Sequence, residues 1–271
     1  MNLKQAYSYG VQFLKANNVD EADFKALCIA CSVAGINNSE YLAHINDDII
    51  ISRVAKMLWR VKSGEPLQYV LGKWDFYESE FYVGEGVLIP RPETEELVDL
   101  AVKYISKLDN PVIVDLCAGS GCIGLSLAKK TNGTVYLIEK SSDAFKYLEK
   151  NSKGINNAKL INGDIADSFD LPPADVIISN PPYIRTEEIS VLQSEVQSEP
   201  VMALDGGKDG LDFYRIINDK WSAEMKKGAK LFLEIGNEQG NDVKSILTEF
   251  ENIEIIKDIY GNNRMVVADK R

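Results

Sequence analysis

Histidine is almost absent from this sequence: His44 is the only one in 271 residues. Serine–histidine–aspartate chemistry therefore has no natural candidate, and histidine-ligated zinc has no ligand set. Cysteine is scarce as well, and four in a chain of this length do not make a disulfide scaffold. Cys28 and Cys31 have C-x-x-C spacing, but no second pair stands at zinc spacing. Both fit an apolar helix face, so core packing is the expectation and no metal is expected. Cys117 and Cys122 have nothing nearby that is basic enough to activate a thiol. Long apolar runs are missing too, since none approaches the ~20 residues a membrane helix needs. The first ten residues carry one lysine and no apolar run, so no secretory leader is expected. These absences lead to a cytoplasmic, reduced protein that does not enter a membrane.

Positive charge is in short supply. The net charge is −11, and it is unevenly spread. Residues 1–64 hold seven Lys/Arg against six Asp/Glu, which leaves 23 basic and 35 acidic residues beyond. A duplex-binding protein normally shows a basic patch and a high pI. The balance beyond residue 64 argues against DNA and suits a basic protein partner.

Residues 1–64 read as a small helical bundle. Phe24, Leu27, Cys28 and Cys31 fall on one face of a helix, and Asp20 with Asp23 three residues on resembles a capping box. Ile50, Val54, Leu58 and Val61 repeat the period before Ser63-Gly64-Glu65-Pro66 breaks it. Residues 65–86 read as a β-hairpin linker, with Trp74, Phe76, Phe81 and Tyr82 around a polar turn at Glu78-Ser79-Glu80. A helix is expected from near Thr94. From residue 111 strands and helices alternate, with strands at 112–114, 135–138, 159–161, 176–178 and 230–235. Helices are expected over 122–130, 142–151 and 239–250, and a hairpin around Gly261-Asn262-Asn263 closes the chain. This alternation predicts an α/β, doubly wound, Rossmann-like sheet over residues 87–271.

Gly119, Gly121 and Gly124 spell G-x-G-x-x-G directly after the first strand of that sheet, and Glu139 ends the second strand. Glycines there allow a sharp turn and close approach of a ligand to the backbone, while a strand-end carboxylate can accept both hydroxyls of a ribose. A turn that merely needs small residues is the plainer reading. A nicotinamide cofactor would use the same geometry. Two acids favour S-adenosylmethionine (AdoMet) instead. Asp115 at the first strand tip would repel a pyrophosphate but can hold an ammonium, directly or through water. Asp164 after the third strand can accept from an adenine amino group, with Ile165 on the ring; a turn role for Asp164 stays open.

Asn180-Pro181-Pro182-Tyr183 follows another strand, where open α/β sheets place ligands. The Asn180 side-chain carbonyl and the Pro181 main-chain carbonyl can each accept a hydrogen from one NH₂ group, which aims the nitrogen lone pair. The prolines fix φ, and Tyr183 offers a flat face for a planar amide or base. Glutamine and adenine both present such a group, so the tetrapeptide leaves the substrate open. A non-catalytic AdoMet-binding module stays open as well.

Asp115-Leu-Cys-Ala-Gly-Ser-Gly121 resembles the first motif of class I AdoMet methyltransferases. A closer resemblance runs from about residue 60 to the end. It rests on Gly64-Glu-Pro-Leu-Gln-Tyr69, Gly72, Phe76, Phe81, Val87-Leu-Ile-Pro-Arg-Pro-Glu-Thr-Glu95, the Asn180–Tyr183 loop, Glu199-Pro200, Ala203-Leu204, Gly206-Gly207, Asp209-Gly-Leu211, Glu234, Gln239-Gly240, Asp258, Gly261 and Arg264. With these the chain resembles the PrmC/HemK family of peptide-chain-release-factor glutamine methyltransferases. The resemblance implies methyl transfer from AdoMet, leaving S-adenosylhomocysteine, to the side-chain amide nitrogen of the glutamine in the Gly-Gly-Gln motif of class 1 release factors. It implies that Cys117, Ala118, Gly119, Ser120, Gly121, Glu139 and Asn180 touch AdoMet. Asn180, Pro181, Pro182 and Tyr183 would hold the glutamine, with Arg91 and Glu93 ordering a lid or pairing with each other on the surface. Cys117 departs from the family's usual glycine, so slight crowding of the methionyl group is expected. Residues 1–64 would recognise the partner, and the working form would be a monomer. The competing expectation is an adenine-N6 methyltransferase acting on DNA or RNA.

Overall fold

A computed structural model describes residues 1–271, the Ser194 side chain apart. The chain folds as two compact units, residues 1–73 with 194–198, and residues 74–193 with 199–271.

The first unit is helical. It contains α1 (Leu3–Ala16), α2 (Ala22–Ala34), α3 (Tyr41–His44), α4 (Ile51–Lys62) and α5 (Leu67–Leu71). α1 opens on a capping box, in which the Asn2 side chain accepts Gln5 N–H and the Gln5 side chain accepts Asn2 N–H. Leu3, Leu14, Ile29, Val54 and Leu58 form its buried interior. The burial of α2 differs from the sequence expectation. Phe24 is exposed and Leu27 half-buried, while Ala22, Ala26, Ile29 and Ala30 are buried with Cys28 and Cys31. α2 lies against α1 at very close range: a Cβ on Gly10 would sit 3.0 Å from the Ala26 Cβ. That approach admits alanines and excludes a phenylalanine. The expected capping box at Asp20 is not formed. Glu21 is the N-cap residue, its backbone is left-handed, and no side chain caps the helix. Ile50 likewise caps α4 from an exposed position, and only Val54, Leu58 and Val61 of its expected face are buried. Lys25 is buried, with its Nζ 2.5 Å from Glu195 Oε1.

The hairpin β1 (Lys73–Phe76) and β2 (Ser79–Tyr82) turns at Tyr77, whose φ is 55°, one to two residues earlier than its polar residues suggested. α5 occupies part of the stretch read as linker. Then come α6 (Pro92–Ile105), β3 (Val112–Leu116), α7 (Cys122–Ala128), β4 (Thr134–Glu139), α8 (Ser142–Asn151), β5 (Ala158–Asn162) and β6 (Ala174–Ser179). α9 (Ser194–Gln197) belongs to the first unit. α10 (Asp212–Asp219), β7 (Met225–Glu234), α11 (Gly240–Ile246), β8 (Phe250–Lys257) and β9 (Asn263–Lys270) complete the chain. α10 has no counterpart in the sequence reading. α11 stops at Ile246 rather than 250, because Phe250 is buried as the first residue of β8.

The sheet order is β5-β4-β3-β6-β7-β9-β8, all parallel except β9, which runs antiparallel to both its neighbours. Alternating strand residues feed two apolar layers. Ile113, Val176, Ile178 and Phe232 pack with Leu97, Ala101 and Leu127 of α6 and α7. Val114, Ile177, Leu231 and Leu233 pack with Tyr214, Ile217 and Val243 of α10 and α11. A continuous buried run such as Val176–Ile178 is what a parallel strand covered on both faces requires. No helix among the described residues is long and apolar enough to cross a membrane.

Candidate active site

The strands β3, β4 and β6 end together, and a cavity of about 410 Å³ opens beyond their carboxyl ends. At the end of β3 the chain reverses through three left-handed residues: Cys117 (φ 61°), Gly119 (φ 56°) and Gly121 (φ 83°). Cys117 thus occupies a backbone conformation that costs a side-chain-bearing residue roughly 1–2 kcal/mol. A glycine at this position would have a backbone reason, apart from any crowding. Gly124 lets α7 seat on the sheet, since a Cβ there would lie 2.6 Å from Leu137 and 2.8 Å from Asp115 Oδ2.

Two carboxylates brace the turn. Glu139 Oε2 accepts Gly119 N–H at 2.7 Å and its Oε1 accepts Ser141 N–H at 2.6 Å. Burial raises the Glu139 pKa against these donors. Each oxygen keeps acceptor capacity toward the cavity, as a diol requires. Asp115 is fully buried, with Oδ2 accepting Gly124 N–H at 2.8 Å and Oδ1 without a partner. Burial pushes its carboxyl up to about 8. Asp164 Oδ1 accepts Ala166 N–H at 2.9 Å, closing a local turn, and Lys140 Nζ lies 2.7 Å from Oδ2. Burial opposes ionisation of Asp164, but the Lys140 contact and the Ala166 donor outweigh it and its pKa is lowered. Asp164 therefore serves a turn and lines the cavity at once.

On the loop side, Asn180 Nδ2 donates to Thr94 Oγ1 at 3.3 Å, and Thr94 Oγ1 donates to Glu234 Oε2 at 2.5 Å. Gln239 ties the loop to its surroundings. Its Nε2 donates to the carbonyls of Tyr183 at 2.9 Å and Gly210 at 3.1 Å, while its Oε1 accepts Gly236 N–H at 2.9 Å. Burial pushes the Tyr183 hydroxyl up to about 12.

Of the residues singled out in the sequence, Arg91, Cys117, Ala118, Gly119 and Ser120 line the cavity, as do Glu139, Asp164, Ile165, Asn180 and Pro182. Asp115, Gly121, Pro181, Tyr183 and Glu93 are not among the residues that line it. Arg91 does not pair with Glu93. It forms an ion pair with buried Glu199, whose Oε2 also accepts Ile89 N–H at 3.0 Å. The arginine pairs 108 residues along the chain because Glu93 already sits in the first turn of α6, which begins at Pro92. Thr94, Glu199, Glu234 and Gln239 belong to the resembling segments but carried no role. Leu88 and Pro90 of the cavity wall likewise belong to those segments without a role, and Met202 and Phe213 carried no signal at all. Burial raises the thiols of Cys117 and Cys122, the latter to about 12, and Cys31 sits at about 11 in the first unit. Such thiols are inert. His44 pairs with Asp47 at 2.7 Å on the surface. No cluster of metal-ligating side chains occurs among the described residues.

Can the residues hold AdoMet? The orphaned Asp115 Oδ1 and the Ser120 hydroxyl, also without a partner, lie buried at the turn. Glu139 is placed for a diol, and Ile165 and Asp164 provide an apolar wall with an acceptor beside it. These features fit a nucleoside that carries a cationic amino-acid arm.

The seven-stranded order with its one reversed strand, and the cavity over the strand ends, make the second unit a class I methyltransferase domain. Similar folds are a methyltransferase from Pyrococcus furiosus (TM-score 0.52, 18% identity, 82% of this chain and 99% of that one) and the ribosomal RNA methyltransferase RsmC of T. thermophilus in complex with AdoMet and guanosine (TM-score 0.53, 18% identity, 73% and 50%). Residues 5–72 match the PrmC N-terminal domain and residues 97–206 the methyltransferase small domain. The release factor glutamine methyltransferase of Thermodesulfovibrio yellowstonii is 41% identical, covering 80% of this chain and 81% of that protein. Those of Clostridium acetobutylicum (38%; 86% and 84%) and Bacillus cereus (32%; 99% and 99%) are similar over comparable or greater lengths. The chain belongs to the release factor glutamine methyltransferase family.

Proposed function

We propose that this protein transfers a methyl group from AdoMet to the side-chain amide nitrogen of the glutamine in the Gly-Gly-Gln motif of class 1 release factors. The observation that carries the reading is that the glycine-rich turn and Asn180 open onto one cavity. AdoMet, when bound, supplies an electrophilic methyl group. Glu139 holds its ribose, the 117–121 turn and Asp115 hold its amino-acid arm, and Asp164 with Ile165 hold its base.

An amide nitrogen is a poor nucleophile because its lone pair is delocalised into the carbonyl. Asn180 Oδ1 and the Pro181 carbonyl accept the two hydrogens of the glutamine NH₂, and Tyr183 flanks the amide plane. This grip turns the lone pair into the cavity, and the two oxygens stabilise positive charge as it develops on nitrogen. No strong base is needed beforehand, consistent with a site that contains no histidine. The Arg91–Glu199 pair fixes the segment 199–203, which forms another part of the wall.

Residues 1–64 are assigned to recognition of the release factor, since one glutamine offers little surface for specificity. The bundle carries a suitable aromatic group: Phe13 meets Trp59 edge-on at 5.5 Å and Lys62 lies over the Trp59 ring. The acidic balance beyond residue 64 speaks against the adenine reading. A cytoplasmic monomer is the working form under this proposal. The test is transfer of labelled methyl from AdoMet to a purified release factor, with a Gly-Gly-Ala factor as control. Labelling of the control at the same rate removes the glutamine assignment.

A further inference from the structure

Asn180 is the only loop side chain assigned to the substrate's hydrogens, and a carboxamide has two ends of nearly identical shape. One end accepts and the other donates. Only the accepting end can grip an NH₂ group, so something must decide which end faces the cavity. We propose that Thr94 and Glu234 are positioning residues that fix the polarity of the Asn180 amide. The inference deepens the function proposed above and rests on its use of Asn180 Oδ1 as an acceptor.

Glu234 is the last residue of β7 and is buried, and as a carboxylate it can only accept. The Thr94 hydroxyl has a single proton and gives it to Glu234 Oε2, 2.5 Å away. What Thr94 then offers Asn180 is lone pairs alone, which require a donor. The Asn180 NH₂ group supplies it at 3.3 Å, and Oδ1 is left for the cavity. A flipped amide would set Oδ1 against the Thr94 lone pairs and NH₂ against the substrate NH₂, two repulsive contacts at once. A charge two hydrogen bonds away thus selects the orientation of the group that touches substrate. Packing does not account for a carboxylate here, because burying one without need weakens a fold.

The relay has a protonation state in which it fails. A neutral Glu234 can donate to Thr94 Oγ1, and the freed hydroxyl can then donate to Asn180 Oδ1 and stabilise the flipped form. Burial pushes the Glu234 carboxyl up to about 7, against the Thr94 donor and the Arg264 charge. The groups that face it are Arg91 ahead of α6, Glu93 in its first turn, Arg264 on β9, Tyr183 in the loop, Tyr214 on α10 and Cys122 at the start of α7. The arginines favour the ionised form and Glu93 opposes it. The ionised form is the working one, so kcat should fall as pH drops through neutrality.

Steady-state methyl transfer to a release factor by the full-length protein tests this. Thr94→Val and Glu234→Gln should each lower kcat by about ten- to a hundredfold, with KM for AdoMet changed only a few-fold. Thr94→Ser keeps the hydroxyl and should stay within a few-fold of wild type. The acid limb of the wild-type kcat profile should vanish in Glu234→Gln. In an Asn180→Ala background, Thr94→Val should have no further effect. Should Glu234→Gln fail to fold, the Val/Ser pair at position 94 and the wild-type acid limb decide. Wild-type kcat in Thr94→Val, while Asn180→Ala has lost activity, overturns the relay and leaves the function standing. Full activity in Asn180→Ala overturns both.

Discussion

The two walls of the cavity are built from different material. The wall that would hold AdoMet is largely main chain: a left-handed turn whose Gly119 N–H is held by Glu139, a strand-end carboxylate that also accepts Ser141 N–H. The opposite wall is a chain of side chains, in which Asn180 leans on Thr94 and Thr94 on Glu234. A main-chain wall tolerates many side chains and binds by shape and local charge. A side-chain relay depends on each member and governs what the bound group can do. The first wall should control affinity and the second should control rate.

Asn180→Ala probes the sharpest form of that contrast. Methyl transfer should drop by about 10²–10³-fold, the usual loss when one preorganised partner of a reacting group is removed, while the AdoMet Kd measured by calorimetry stays within a few-fold. A parallel loss of binding would erase the difference between the walls. Glu139→Ala is the mirror experiment. It should weaken AdoMet binding by about ten- to a hundredfold, with kcat at saturating AdoMet close to wild type. An unchanged Kd would remove the ribose assignment.

A smaller effect separates Asp115 from Glu139. Burial raises the Asp115 pKa to about 8, so the folded protein prefers it neutral. The contribution of a neutral buried carboxyl is whole at pH values below its ordinary range and is lost progressively as pH rises toward 8. Asp115→Asn should therefore gain in Tm relative to wild type between pH 5 and about 8 when the free proteins are compared. A Tm difference that is flat with pH would show that Asp115 is ionised throughout. The least effect is expected at Cys117. Replacing it with glycine relieves the positive φ but adds freedom to the unfolded chain, for a net gain of up to about 1 kcal/mol in denaturant unfolding. A clear loss of stability would mean that the thiol's packing outweighs its backbone strain.

The same contrast explains what was legible in the sequence. The main-chain wall rests on local spacing, so Gly119, Gly121, Gly124 and Glu139 were readable from a strand, a turn and a helix in succession. The relay joins residues 86 and 140 positions apart, and no periodicity reports such a pairing. Asn180 was visible because its own tetrapeptide is unusual, whereas Thr94 and Glu234 are ordinary residues until the sheet assembles. Arg91 and Glu199 both belong to the resembling segments, but nothing in the sequence paired them, for the same reason. Helix faces failed where packing was tightest: Phe24 has the right spacing for α2, yet the approach of Gly10 to Ala26 leaves room only for small residues. α10 was missed although Tyr214 and Ile217 bury on one side of it, since it follows a long irregular stretch that offered no strand to frame it.

Gln239 gives the tetrapeptide a property that its own residues do not. One carboxamide fastens the Tyr183 carbonyl, the Gly210 carbonyl and the Gly236 amide, and a Cβ at Gly210 would come within 2.4 Å of the Tyr183 oxygen. Three separate stretches of backbone are immobilised by a single side chain while the protein folds. The conformational entropy of the loop is thus surrendered once per molecule synthesised, and not again at each encounter with a partner. The glutamine proposed as substrate would then meet a loop with little disorder of its own left to lose.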